Sequence, residues 1–264
     1  MTQSRLGIAM ITGASSGIGA IYAERLARRG HDLILVARNR DRLTVLAKRL
    51  SEETDRHIEI VVADLSDRAD LARVEERLRT DANICLLVNN AGVGATQPLL
   101  ESNIDKLEEL LTLNVNVLTR LTYAVVPGFV ARGGGMLINI ASIVAIAPEV
   151  LNGVYGGSKA FVLAFSQSLR HELADKNIRV QVVLPGATAT EFWSVAGTPL
   201  AHLPEHIVMS ADNMVDAALS GLDQGEFVTI PALPEIADLN AYEAARQKLM
   251  PNLSLSAPAE RYRN

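Results

Sequence analysis

One cysteine, Cys85, stands among the 264 residues, so no internal disulfide can form and a reducing compartment is expected. It lies in the apolar run ICLLV, where a buried small side chain is the ordinary reading and a catalytic thiol the exceptional one. Basic charge is short as well. The 25 Lys and Arg against 30 Asp and Glu leave a net charge of −5, which argues against nucleic acid or an anionic membrane as a partner. No stretch approaches the roughly 18 uninterrupted apolar residues of a membrane span. Residues 1–5 carry one arginine and no address, and the run 7–12 is too short for a signal-peptide core. The expectation is a soluble, cytoplasmic protein. Repeats and low-complexity tracts are absent, as is any Pro/Gly/Ser-rich linker before residue 185. What remains is a globular balance of 48% hydrophobic and 21% charged residues, which excludes a disordered or fibrous chain.

Short runs rich in Val, Ile and Leu occur at 7–12, 32–37, 58–62, 85–89, 136–140, 178–184 and 227–230. They do not alternate with polar residues, as expected of parallel strands buried on both faces. Between them lie helix-period segments at 17–29, 40–51, 68–80, 104–131, 154–175 and 211–222, and a further helical stretch at 239–249. Gly30 supplies a stop for the first helix, with Arg28 and Arg29 at the negative end of its dipole. Such alternation indicates an α/β fold, a doubly wound parallel sheet of about seven strands with helices on both faces. Ligands of such a sheet bind beyond the carboxyl ends of its strands, where strand order reverses. Residues 1–264 read as a single domain, which includes a segment at about 187–210 and a C-terminal extension at about 232–264.

The first strand runs into Thr12-Gly13-Ala14-Ser15-Ser16-Gly17-Ile18-Gly19 and then a helix. Gly13 permits the turn, Gly17 lets a phosphate near the backbone and Gly19 allows close packing of helix on sheet. Free amides of Ser15, Ser16, Gly17 and Ile18 at the helix start suit a pyrophosphate. A flexible turn is the plain alternative, because the spacing is not the general G-x-G-x-x-G. Where a dinucleotide fold keeps a carboxylate for the ribose 2′-hydroxyl, this chain has Ala37, followed by Arg38 and Asn39. A guanidinium would grip a 2′-phosphate, so NADP (NADPH) is the expected cofactor. Asp32 lies at the other end of that strand, about 16 Å away. Asp64 and Leu65 are placed to meet the adenine, and Asn90, Ala91 and Gly92 form a turn beside the crevice.

At the reacting end, Ser142 closes the fifth strand and Tyr155 follows thirteen residues later, with Lys159 one helical turn on. A free phenol titrates near 10, too high for acid–base work at neutral pH. An ammonium beside Tyr155 would lower that value, while Ser142 would hydrogen-bond a substrate oxygen.

Over residues 7–192 the chain resembles the short-chain dehydrogenase/reductases, a Rossmann-like family. TGASSGIG matches the TGxxxGxG cofactor turn, NNAG at 89–92 the structural motif, and Ser142, Tyr155 and Lys159 the catalytic residues. Asn114 matches the catalytic asparagine by its distance to Pro127, and Pro185, Gly186, Thr188 and Thr190 match the PGxxxT turn that holds the nicotinamide carboxamide. Some NADP-using members carry a basic residue where this chain has Ser16, so the coenzyme reading rests on Ala37 and Arg38. The resemblance implies hydride transfer between nicotinamide and a ketone, aldehyde or secondary alcohol. Tyr155 would give the proton, Lys159 lower its pKa and bind the ribose, Ser142 orient the carbonyl, and Asn114 hold a water for proton resupply. It also implies a homodimer or homotetramer through 104–131 and 154–175, whose apolar residues, Phe161, Val162, Phe165 and Leu169 among them, exceed one stripe.

Phe192 and Trp193, with Ile143 and Val144, suggest an apolar substrate lining, against ordinary core packing. His202 and His206 are four apart, but Pro204 and the lack of a third ligand favour a polar loop; no metal is expected. Three functions stay open. The first is a carbonyl reductase acting on a small-molecule ketone or alcohol, whose narrower form, a 3-oxoacyl-(acyl carrier protein) reductase, would need a basic docking surface such as Arg132, Arg170 and Lys176. A non-catalytic NADP(H) sensor is the second, and epimerisation or dehydration on the same scaffold the third.

Overall fold

A computed structural model describes residues 6–263, and the stretch read above as carrying no address, residues 1–5, lies outside them. Six strands form in order: β1 (Ile8–Thr12), β2 (Asp32–Ala37), β3 (Ile58–Val62), β4 (Ile84–Asn89), β5 (Gly135–Ile140) and β6 (Ile178–Val183). β7 (Thr188–Ala189) and β8 (Met209–Ser210) pair only with each other, and β9 (Val228–Thr229) joins the main sheet. That sheet is parallel throughout and runs β3-β2-β1-β4-β5-β6-β9. The chain steps outward from β1 to β3, then returns to lay β4 on the other side of β1. Strand order therefore reverses between β1 and β4, and a crevice opens beyond their carboxyl ends.

The helices are α1 (Gly17–Arg28), α2 (Arg40–Thr54), α3 (Arg68–Thr80), α4 (Ile104–Leu111), α5 (Leu118–Ala131), α6 (Gly153–Glu172), α7 (Phe192–Ala196), α8 (Ala211–Gln224) and α9 (Ile236–Leu249). Alternate strand residues feed two cores. Ala9 and Ile11 of β1 pack with Tyr22 and Leu26 of α1, Leu43 of α2 and Leu219 of α8. Met10 of the same strand packs with Val74 of α3, Leu121 and Phe129 of α5 and Leu169 of α6. Each face of the sheet is thus covered, which explains why its strands are apolar without alternation. At the end of α1, Gly30 adopts φ +99°, its amide bonds Ala27 and the next one, of His31, bonds Leu26. Those two bonds close the helix as the glycine stop predicts.

The long helix expected at 104–131 is not uniform. Between α4 and α5 the chain makes a π-helical turn over Thr112–Val117, with Asn114 inside it. Such widened turns concentrate at functional sites. The fifth strand ends at Ile140 rather than Ser142, and Ser142 instead caps a single 3-10 turn, Ile143–Ala145.

The chain divides into two compact units, the first ending at Pro231 and the second beginning at Ala232. The second holds α9 and two 3-10 turns, Met250–Asn252 and Glu260–Tyr262, and none of its described residues is buried. Among the described residues no helix is long and apolar enough to cross a membrane.

Candidate active site

Thr12, the last residue of β1, ties the glycine turn to β4. Its hydroxyl accepts from the amides of Asn90 and Ala91, each at 3.0 Å, and donates to the Val88 carbonyl at 3.2 Å. Asn90 answers with its side-chain amide, donating to the carbonyls of Thr12 at 2.9 Å and Gly13 at 3.3 Å. Gly13 sits at φ +66° and Gly17 at φ +52°, a region that disfavours any side chain. A Cβ on Gly19 would overlap the Gly13 carbonyl and come within 2.6 Å of Asn90 Nδ2, so the glycine lets α1 seat on the turn. Side chains cap the N-termini of α2, α3, α4, α6 and α8, namely Asn39, Asp67, Asn103, Asn152 and Ser210. Ser16 at the start of α1 makes no such bond. The first-turn amides there remain for an anion, so the turn fits a pyrophosphate.

Beyond β2, Arg38 is 76% exposed and lies 4.0 Å from the Asp64 carboxylate, with room to receive a phosphate. Position 37 is an alanine rather than a carboxylate, so the last residue of β2 does not repel one. Two neighbours differ from expectation. Asn39 spends its side-chain oxygen on the Arg42 amide, capping α2, and Leu65 is buried in the core beside α3. Asp64 likewise accepts from the Ser66 amide. Residues 39, 64 and 65 therefore shape the walls of this end, and the charge is offered by Arg38.

The reacting end lies on α6. Asn152 caps the helix, accepting from the amides of Val154 at 2.9 Å and Tyr155 at 3.4 Å. Its own amide donates to the Gln97 carbonyl and Ser102 hydroxyl, which binds the helix start to the loop after β4. Tyr155 and Lys159 are both buried, and the Lys159 ammonium stands 5.9 Å from the centre of the phenol ring. Lys159 donates to the Ile140 carbonyl at 3.0 Å. The Ser142 hydroxyl acts on the phenol, lowering its pKa, while it donates to the Pro185 carbonyl and accepts from the Val144 amide, each at 3.4 Å.

The electrostatics overturn one expectation. Burial pushes the Tyr155 phenol up to about 12, and the Ser142 hydroxyl offsets only part of that rise. Burial lowers the Lys159 ammonium to about 8. Desolvation outweighs any pull of the ammonium on the phenol, because burial penalises the charged form of both groups.

Asn114 is also buried. Its oxygen accepts from the Val93 amide at 3.0 Å, and its amide donates to the Val93 carbonyl at 2.9 Å and the Ser158 hydroxyl at 3.1 Å. Both amide hydrogens are thereby used, and the side chain clamps the β4 loop to α6. Gly92 keeps this corner open, for a Cβ there would lie 3.0 Å from Asn114 Oδ1 and 3.6 Å from Lys159 Nζ.

After β6, Thr188 enters the short β7–β8 pair, which fixes both ends of the segment between them. Thr190 reaches toward Gly17, whose absent Cβ would lie 3.1 Å from its methyl. Phe192 packs on the Tyr155 ring, 5.8 Å between centres, in a cluster that includes Ile143 and Val144. Trp193 is buried, donating to the Thr188 carbonyl at 3.0 Å and meeting Phe192 edge-on. It serves as a post for Phe192 more than as a lining residue. Arg42 makes a bidentate pair with Glu191, at 2.6 and 3.0 Å, joining the start of α2 to this segment. His202 and His206 fall in separate exposed 3-10 turns, and no group of three metal-ligating side chains occurs among the described residues.

Sequence reasoning quoted Thr12 only as the start of the glycine turn, and passed over Asn152, Ser158, Gly94 and the Arg42–Glu191 pair. Asn152 carried a signal, since asparagine before a helix start is a favoured cap. The others depend on contacts across long stretches of chain.

A doubly wound sheet with an uncapped glycine turn at one end of its crest and a buried phenol and ammonium at the other defines a dinucleotide-binding α/β protein. The family model described as short chain dehydrogenase matches residues 7–199. With that match the chain belongs to the short-chain dehydrogenase family. A short-chain dehydrogenase from Sphingobium yanoikuyae, solved in complex with NADPH, superposes with a TM-score of 0.94 at 51% identity, covering 98% of this chain and all of that one. The bulky-bulky ketone specific alcohol dehydrogenase from Comamonas testosteroni gives 0.90 at 47%, over 99% of this chain and all of that one. The very-long-chain 3-oxoacyl-CoA reductase of Anas platyrhynchos is 33% identical over 195 residues, 71% of this chain. There the chain spans only 62% of the relative's length.

Proposed function

We propose that the protein is an NADPH-dependent carbonyl reductase, acting on a ketone or aldehyde and, in reverse, on a secondary alcohol. The observation that carries this reading is the buried Tyr155 phenol, with Ser142 beside it and the buried Lys159 one turn later, on the same sheet crest as the uncapped glycine turn. Bound NADPH supplies the hydride. Tyr155, protonated at neutral pH, holds the proton that the carbonyl oxygen takes up. Ser142 orients that oxygen and stabilises its developing charge. Lys159, whose ammonium is brought near 8, exchanges its proton readily close to neutral pH and restores the one Tyr155 gives up. Asn114 acts by position, clamping Val93 and Ser158 around the pair.

NADPH over NADH is supported by Ala37 and the exposed Arg38, and by the coenzyme in the Sphingobium yanoikuyae structure. The glycine turn from Gly13 to Gly19 takes the pyrophosphate. Residues Asn90, Ala91 and Gly92, with the turn from Pro185 to Thr190, flank the nicotinamide side. Phe192, Ile143 and Val144 line the substrate end, which suits an apolar ketone, as the name of the Comamonas testosteroni enzyme supports. We read residues 1–264 as one catalytic chain in a cytoplasmic setting, assembling as a homodimer or homotetramer. Exposed Tyr123 on α5 stacks on Phe165, and Phe165 on Phe161 of α6, an aromatic surface that favours a partner subunit.

A reductase for a carrier-protein substrate is less favoured. Arg132 donates to the Ile84 carbonyl, Arg170 lies over the Phe227 ring and Lys176 pairs with Asp175. Each of the three is thus engaged within the chain, which leaves less free charge for an acidic carrier. A panel of ketones and aldehydes, followed by NADPH oxidation, tests the proposal. Turnover supports it, coenzyme binding without turnover would leave a sensor, and product change without net oxidation would indicate epimerase or dehydratase chemistry.

A further inference from the structure

Gly94, in the loop after β4, has an ordinary backbone and no turn to make, yet its missing side chain is structurally necessary. A Cβ there would overlap the Phe192 ring, with three ring carbons no more than 2.9 Å away. The ring of Phe192 thus occupies the volume a side chain at position 94 would fill. It also packs on Tyr155, whose ring centre is 5.8 Å away, and meets Trp193 edge-on. The loop and the segment bearing Phe192 are fastened together just beyond. Thr96 donates to the Ala196 carbonyl through its amide at 3.2 Å and its hydroxyl at 2.8 Å, and Thr198 donates to Thr96 at 2.9 Å. Phe192 therefore cannot retreat by shifting the whole segment without breaking those bonds. Any group added at 94 must displace the ring, and with it the packing on the phenol.

We propose that Gly94 is a specificity-determining residue: it seats Phe192 back in the loop, keeping the approach to Tyr155 wide enough for ketones with large apolar groups. The surrounding side chains, Val93, Ala95, Ile143, Val144 and Phe192, carry no charge, so the group accommodated is apolar. This inference rests on the reductase reading above. Interiors resist even one added methyl, and a single methylene in an apolar pocket changes selectivity by about tenfold or more.

The test is a double-mutant cycle over Gly94→Ala and Phe192→Ala, read with benzophenone and butanone as probes and NADPH as reductant. The ratio of kcat/KM for benzophenone over butanone should fall about tenfold in Gly94→Ala. In the Phe192→Ala background the same change should leave that ratio within about twofold, because the clash is gone. Urea unfolding of the four proteins gives a readout apart from activity: Gly94→Ala should lower the midpoint only when Phe192 is present. Independent, multiplying effects in both readouts would overturn the proposal while leaving the reductase reading intact. A wild-type protein that reduces neither ketone would overturn both.

Discussion

Burial sets the proton chemistry of Lys159, and it does so with a sign that can be measured. The folded protein holds this ammonium near 8, below its ordinary 10.5. Between those values the unfolded chain keeps a proton that the folded one has released, so stability rises as pH climbs through the window. The rise amounts to at most roughly 3–4 kcal/mol, one pKa unit being worth about 1.4. Lys159→Met should flatten it, as urea midpoints from neutral to about pH 10 will show. Tyr155 works oppositely: its folded value is raised from 10.0 to about 12, so stability falls across that higher range. The same shift keeps the phenol protonated at neutral pH, which suits carbonyl reduction. Alcohol oxidation needs the phenolate, so its rate should climb as pH increases from neutral toward alkaline while reduction does not. Of this site, the pairing of Tyr155 with Lys159 was legible from a spacing of four. The direction of the phenol's shift was not, because spacing reports a neighbour's charge and says nothing of how dry the pocket is.

The elements are held by a few ion pairs whose worth depends on burial. Glu75 of α3 is buried and meets Arg120 of α5 through two bonds, at 2.5 and 2.9 Å, with Arg79 at 3.4 Å on its other side. Removing Arg120 leaves this buried carboxylate only the longer contact with Arg79, and Arg120→Ala should cost about 2 kcal/mol in urea unfolding. The exposed Arg29–Asp223 pair between α1 and α8 is also bidentate, yet its loss should cost less than about 1 kcal/mol because water screens it. Strands were the most legible elements. Asp32–Ala37 and Ile58–Val62 match the apolar runs at both ends, since a strand covered on two faces stays apolar until it leaves the sheet. The π turn at Thr112–Val117 left no mark in the sequence, because it shifts hydrogen bonds by one residue without changing the apolar period much.

Across the first unit, the reversal of strand order gathers the site. It lays β4 beside β1, so Asn90 meets Thr12, and puts β5 next in line, so Ile140 meets Lys159. Residues 12 to 19 and 142 to 159 come to one crest by that route, which is why a regular alternation of strands and helices was enough to bring the two motifs together in a reading of the sequence. The segment from Thr188 to Ser210 was legible only as a location. Its form depends on pairs such as Gly94 with Phe192 and Arg42 with Glu191, which no local pattern announces. The central claim is that Tyr155 delivers the proton in a hydride transfer from NADPH, and one variant addresses it directly. Tyr155→Phe keeps the ring and its packing on Phe192 while removing the hydroxyl. Steady-state NADPH oxidation with a reducible ketone should vanish in this variant, with the dissociation constant for NADPH, followed by coenzyme fluorescence, nearly unchanged. Turnover at the wild-type rate would contradict the account.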